Sequence, residues 1–264
     1  MGILNITPDS FSDGGAHFDS SVAVERAVQM VEEGADIIDV GGESTRPGSD
    51  PVSTEEELRR TIPVVEAISG RLKVPISIDT YKAEVAGRAL ESGASMVNDV
   101  SGLRFDPEMP AVINKYKVPV VIMHMKGDPR SMQANPAYEA LLPEIMDYFR
   151  NSIRLARSFD IPEDMIILDP GIGFGKTFNH NLEIINNLDK FCGLEKPLLI
   201  GPSRKAFIGS ILDGAPAGDR LEGTAAVIAV SIMKGANIVR VHDVKEMVKV
   251  ARVADAIKRE KTAG

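Results

Sequence analysis

The chain has 264 residues, enough for two average domains or for one (β/α)8 barrel, which takes about 250. An apolar fraction of 44% beside 26% charged residues is ordinary for a globular protein, and with no Trp and 5% aromatics the core has to be aliphatic. The net charge of −8 argues against a nucleic-acid partner; no apolar run reaches the roughly 18 residues of a membrane span, no signal segment is seen, and the single Cys192 excludes an internal disulfide, so the chain reads as cytoplasmic.

In chain order, eight short apolar runs recur: "GILN" (2–5), "DIIDV" (36–40), "PISID" (75–79), "SMVND" (95–99), "PVVIMH" (119–124), "MIILD" (165–169), "PLLIG" (197–201) and "NIVRVH" (237–242). Their length and Ile/Val content predict strands buried on both faces, as in a parallel sheet. Helical periodicity fills the gaps: Val24, Ala27, Val28 and Val31 share one face, as do Val244, Met247, Val248 and Ala251. "STEEELRRTIPVVEAI" opens with Ser53 three residues before Glu56, a capping box, and carries Pro63 as a potential kink. The connector "KGDPRSMQANP" (126–136) reads as an ordered loop between a strand and a helix. Eight strand–helix repeats with no low-complexity linker predict an α/β fold, a single-domain (β/α)8 TIM barrel over residues 1–264; a doubly wound open sheet is the main competitor.

In such a barrel the chemistry sits at the C-terminal ends of the strands. Those ends carry Asn5, "GGESTR", Asp79, Asn98–Asp99, His124, Asp169, "GPSRK" and Arg240–His242, whereas the strand interiors stay apolar. This asymmetry points to an enzyme. The polar loop "NITPDSFSDGG" (5–15) offers oxygen acceptors and flexible backbone suited to closing over an ion, against an ordinary Asx/Gly turn. "GGESTRPGSD" (41–50) presents Arg46, whose planar fork matches carboxylate or phosphate oxygens, though a loop arginine is as often simply solvated. Asp79 could cap the following helix near Tyr81, yet three polar strand ends together, Asp79, Asn98 and Asp169, favour convergence on one planar heterocycle. Arg240 and His242 alternate with Val241 and so face one side, and an arginine in a buried strand is costly unless paired or facing a ligand. His124 alone reads as structural.

"DPGIGFGKT" (169–177) mimics a nucleotide-binding P-loop, but only three residues separate Gly171 from Gly175 and Pro170 stands where the first glycine belongs. Taken together, "GILNITPDSFSDGG", "GGESTRPG", "SIDT", "VND", "DPGIGFGKT", "GPSRKAFIG" and "RVHDV" run in order over nearly the whole chain and resemble dihydropteroate synthase of folate biosynthesis. The resemblance implies condensation of 6-hydroxymethyl-7,8-dihydropterin pyrophosphate with para-aminobenzoate, giving 7,8-dihydropteroate and pyrophosphate, through a dissociative step. It places the pterin on Asp79, Asn98, Asp169, Lys205 and Arg240. The pyrophosphate falls to Asn5, Arg46, Arg240 and His242, and Asn5 is similar to the family's Mg²⁺ ligand. The aminobenzoate pocket falls to Phe11, Thr45, Pro47, Phe174 and Lys205. Lys176 is not expected to serve as a P-loop lysine. A homodimer is also implied, with the exposed faces of the last helices as candidates.

Two departures from the family pattern stand out. The chain starts directly at the first strand, where relatives usually carry a segment across the barrel floor. Ala206 follows Lys205 where many relatives have Ser or Arg, which leaves backbone contacts to the aminobenzoate carboxylate. The rivals are a methyltetrahydrofolate-dependent corrinoid methyltransferase, which needs no pyrophosphate loops, and a non-catalytic pterin-binding paralogue.

Overall fold

The computed structural model describes residues 1–6, 20–44 and 48–260. Eight parallel strands are present among them: β1 (Gly2–Asn5), β2 (Ile38–Gly41), β3 (Ile76–Asp79), β4 (Met96–Asp99), β5 (Val120–Met123), β6 (Ile166–Asp169), β7 (Leu199–Ile200) and β8 (Ile238–Val239). The first six pair in sequence order and the last two pair with each other. Bridges from Leu168 to Leu198 and from Gly2 to Val241 join the two sheets at both seams, so the strands close into a cylinder. Ile3 N donates to Val241 O at 3.0 Å and Val241 N to Met1 O at 3.0 Å across the closing seam. All eight apolar runs are strands, and the fold is the (β/α)8 barrel rather than the open sheet. The last two strands are shorter than their runs, and Pro202, two residues past β7, has no N–H with which to extend the ladder.

The helices are α1 (Ser20–Glu32), α2 (Thr54–Ser69), α3 (Ala83–Glu91), α4 (Met109–Tyr116), α5 (Leu141–Ser158), α6 (Phe178–Asn186), α7 (Ala206–Ile211), α8 (Leu221–Met233) and α9 (Val244–Arg259). Both expected helical faces point inward, with Val24, Ala27, Val244 and Met247 buried. Half of the capping box forms on α2: Ser53 Oγ accepts from Glu56 N at 3.2 Å, while the Glu56 carboxylate turns to Arg59 and Arg60 at 2.7 Å each. The helix runs on through Pro63. The connector 126–136 is largely exposed and is ordered by local contacts: Met132 is buried, and Asp128 caps its own turn by accepting from Arg130 N and Ser131 N.

Strand alternation sorts the side chains into two environments. One set, including Ile38, Val40, Ile76, Ile78, Val97, Val120, Ile122, Ile166 and Leu168, packs against the helices as the main core. The alternate set points into the cylinder. At its lower level Met1, Met96, Val121, Ile167 and Leu199 form a separate apolar cluster with Ile37 and Ile238. This plug fills the barrel floor, and the polar residues sit above it.

Candidate active site

One residue further along each inward-facing row, the chemistry changes. Asp39, Ser77, Asp79, Asn98 and Asp169 are all buried, on β2, β3, β4 and β6. Arg240, just past β8, reaches across them: its Nε donates to Asp39 Oδ2 at 2.6 Å and its Nη2 to Asp79 Oδ2 at 2.7 Å. Asn98 Nδ2 donates to the same Asp39 oxygen at 3.0 Å. Asp79 therefore pairs with Arg240 and does not cap α3, whose N-cap is Lys82. Gly41 lies between two of these groups: a Cβ there would stand 3.4 Å from Asp79 Cβ and 3.7 Å from Asn5 Oδ1. Asn5, half-buried at the tip of β1, thus faces the same mouth.

Burial dominates the electrostatics. It pushes the Asp79 carboxyl up to about 7 against the pull of Arg240, with Asp39 adding to the rise. It raises Asp169 to about 6, opposed by the Gly171 N–H and by Lys176. Burial works against the Arg240 charge, but Asp39 and Asp79 outweigh it and hold its pKa above the usual value. The mouth is a low-dielectric cluster in which one guanidinium holds two carboxyl groups and a third, Asp169, lies within reach of its charge.

The loop from Asp169 to Thr177 settles the P-loop question. Asp169 Oδ1 accepts from Gly171 N at 2.7 Å. Gly171 and Gly175 have φ of +67° and +63°, and a Cβ on either would collide with the carbonyl of His124 or Lys126. Thr177 caps α6, its Oγ1 accepting from His180 N at 3.2 Å. Lys176 turns inward: Nζ lies 3.0 Å from His124 Nδ1 and donates to Phe174 O at 2.9 Å. No phosphate cradle is built. Phe174 instead places its ring 4.2 Å from Lys205 Nζ.

After β7, His242 Nδ1 lies 3.0 Å from Ser203 Oγ, while Arg204 Nε donates to Asp243 Oδ2 at 3.0 Å and so spends its charge on a neighbour. Asp99 makes a turn, accepting from Ser101 N and Leu103 N at 2.8 Å each. His124 is buried and neutral, its pKa lowered to about 2 by burial and then by Lys176. Asn5, Asp79, Asn98, Asp169, Phe174, Lys205, Arg240 and His242 are described, whereas Phe11, Thr45, Arg46 and Pro47 lie outside the described residues.

The chain as a whole matches a known family. Residues 1–242 fit the family of pterin binding enzymes. A dihydropteroate synthase of Synechocystis sp. is 50% identical over 259 residues, covering 98% of this chain and 90% of the relative. A solved Yersinia pestis dihydropteroate synthase with a sulfonamide drug complex superposes with a TM-score of 0.93 at 42% identity, covering 98% of this chain and 93% of that one. A Clostridium difficile dihydropteroate synthase solved in the presence of pteroic acid gives 0.92 at 49% identity, over 98% and 95% of the two chains. The chain belongs to the dihydropteroate synthase family of pterin-binding enzymes.

The site residue that the sequence pattern does not announce is Asp39. It is fully buried mid-strand and is the partner that orients both Arg240 and Asn98. The signal was available: a carboxylate inside an apolar strand needs a cationic partner as much as Arg240 needs an anionic one. A second missed group anchors the stem of the 41–50 loop. Tyr81 OH donates to Glu43 Oε1 at 2.8 Å, and Lys82 Nζ bridges Glu43 and the buried Glu57.

Proposed function

We propose that the chain joins 6-hydroxymethyl-7,8-dihydropterin pyrophosphate to para-aminobenzoate, releasing pyrophosphate. The observation that carries this reading is the convergence of buried carboxyls, an amide and cationic side chains on one mouth in a chain of this family. Pteroic acid, in whose presence the Clostridium relative was solved, contains both halves of the expected product. The test is direct: with both substrates and Mg²⁺ the purified protein should form dihydropteroate. Pterin binding without turnover would return the chain to the non-catalytic reading.

In this reading Asp79, Asn98 and Asp169 meet the 2-amino group and ring nitrogens of the pterin, Lys205 donates to its oxygen-bearing edge, and Arg240 covers its face. Arg46, Arg240 and His242 take the diphosphate, while Phe11, Thr45, Pro47, Phe174 and Lys205 form the aminobenzoate pocket. An aromatic amine is a weak nucleophile, so departure of pyrophosphate governs the barrier. Arg240 neutralises charge on the leaving group, and the carboxylates around it stabilise positive charge growing on the pterin methylene. A dissociative order follows, in which pyrophosphate leaves before the amine attacks. Cleavage of the pyrophosphate–methylene bond should then be detectable without para-aminobenzoate, and its absence would reverse the order.

The donor set fits a weakly held Mg²⁺. Among the described residues no group of three or more His, Cys, Asp or Glu could cage a metal. The Asn5 side-chain oxygen is a hard ligand facing the mouth, and Mg²⁺ commonly completes its shell with water and substrate phosphates. When bound, Mg²⁺ supplies charge neutralisation on the diphosphate.

The chain is further read as a cytoplasmic homodimer with no nucleic-acid partner. No helix among the described residues is long and apolar enough to cross a membrane. Val230 and Met233 on α8 and Val253 and Ile257 on α9 are all exposed, an apolar face suited to a second copy. Sedimentation of the wild type and of Val253→Glu tests it: a monomer in both would remove the dimer.

A further inference from the structure

Lys176 is the charged group of the "DPGIGFGKT" motif that the proposed reaction leaves without a task. Its side chain is buried, with 3% exposed, and its three hydrogen-bond partners among the described residues are uncharged: His124 Nδ1 at 3.0 Å, His124 O at 3.3 Å and Phe174 O at 2.9 Å. An ammonium has three donors and no acceptor, so the three partners match it in number. His124 stays neutral and offers Nδ1 as an acceptor, which fixes its proton on Nε2. A buried cation held only by neutral acceptors is expensive, and an apolar side chain of similar length would fill the space at lower cost. Burial accordingly lowers the pKa of Lys176 to about 7, with Asp169 opposing and Lys205 adding to the fall. Such an arrangement is worth keeping only for the geometry it imposes.

That geometry is a tie between two segments. Lys176 fastens the carbonyl of Phe174 to the end of β5, where the backbone also pairs through His124 N to Asp169 O at 2.8 Å. The loop itself lies flat on Lys205: a Cβ on Gly173 would stand 3.3 Å from Lys205 Cδ, and the Phe174 ring meets Lys205 Nζ at 4.2 Å. Other ties hold its flanks, Gly173 N to Asn181 Oδ1 and Tyr138 OH to Gly175 O, both at 2.7 Å. Lys176 grips the residue between them.

We propose that Lys176 is a positioning residue for aminobenzoate capture, holding the Phe174 ring against Lys205 by tying the loop after β6 to the end of β5. The inference rests on the function proposed above. Wild type, Lys176→Met and Lys176→Gln are compared with each substrate varied in turn. Lys176→Met raises the KM for para-aminobenzoate about tenfold and leaves that for the pterin pyrophosphate within about twofold, since a small misplacement of a contact residue is enough. Lys176→Gln, which keeps two amide donors, falls between. Hydrogen exchange at Phe174 and Gly175, measured on the ligand-free proteins, accelerates in the same order. In a Phe174→Ala background the Lys176→Met change shrinks to less than about twofold, because the ring it positions is gone.

The inference is overturned if Lys176→Met, or Lys176→Gln should the first not fold, loses thermal stability but keeps wild-type KM values and exchange rates. It is equally overturned if the KM penalties of Lys176→Met and Phe174→Ala multiply. A wild type that forms no dihydropteroate refutes the proposed reaction instead, and the exchange rates alone then decide whether Lys176 holds the loop.

Discussion

The floor and the mouth of the barrel are built from the same strands, two residues apart. Ile37, Met96 and Ile167 belong to the apolar plug; Asp39, Asn98 and Asp169 follow them on the same inward rows. One pleat repeat, about 7 Å of strand, separates hydrocarbon from a polar pocket. The floor gives stability by excluding water from aliphatic side chains. The mouth gives it up: among the described residues Asp39 Oδ1, Ser77 Oγ and Glu57 Oε1 are buried without a partner, and the first two belong to residues paired in register across β2 and β3. The Asp39 and Ser77 groups lie one pleat repeat below the polar strand tip of Asp79, and the packed floor is what makes their cost tolerable.

Removing the link that holds the mouth together should have the largest effect. Arg240→Leu leaves Asp39 and Asp79 buried without their cation. Breaking a buried ion pair in this way costs about 3–5 kcal/mol of stability. Dihydropteroate formation should fall by about 10³ as well, since in the proposed reaction the same guanidinium neutralises the leaving group. Denaturant unfolding and a steady-state assay on one preparation read both. A variant that loses activity but keeps its stability would mean that the two carboxyls do not depend on Arg240.

The floor should respond in one dimension only. Ile167→Ala opens a cavity in the plug and costs about 2–5 kcal/mol. Below its melting temperature kcat/KM should stay within about twofold, because the pocket above is fixed by backbone pairing of β6 with β5 and of Leu168 with Leu198. A large fall in kcat/KM in the still-folded protein would show that floor and mouth are not separable.

Their legibility in sequence differs for the same physical reason. The strands and the core announce themselves by apolar runs, and the polar strand tips stand out because they break those runs at a constant place. Asn5, Asp79, Asn98, Asp169 and Arg240 were therefore readable as a group. Asp39 was not, because it interrupts an apolar run in its interior and its justification, Arg240, lies about 200 residues away along the chain. Contacts of that range follow from closing the cylinder, which local periodicity does not encode. The inward turn of Lys176 was hidden in the same way: the motif excludes a P-loop, but only the approach of β5 explains where the ammonium goes. The aminobenzoate residues Phe11, Thr45 and Pro47, and Arg46 beside them, lie outside the described residues and remain expectations carried by their motifs.

Asp169→Asn is the finest probe of the division, because it changes one charge and keeps one contact. Asparagine can still offer Oδ1 to Gly171 N, which the wild-type carboxylate bonds at 2.7 Å, so the loop keeps its anchor. Burial raises the Asp169 carboxyl from 3.8 to about 6. Between those values the folded chain binds more protons than the unfolded one, so this group weakens the fold as pH rises from 4 to 6. Above that window the whole penalty is in place, up to about 3 kcal/mol. The asparagine variant escapes it: relative to wild type, its melting temperature should climb between pH 4 and 6 and hold level above. Pterin affinity should move the other way, falling about tenfold or more as a charge-assisted acceptor becomes a neutral one. Calorimetric melts across pH, with pterin titrations at pH 7.5, separate the two effects. If the variant melts lower at every pH and binds pterin as well as wild type, Asp169 belongs with the floor, as part of the scaffold.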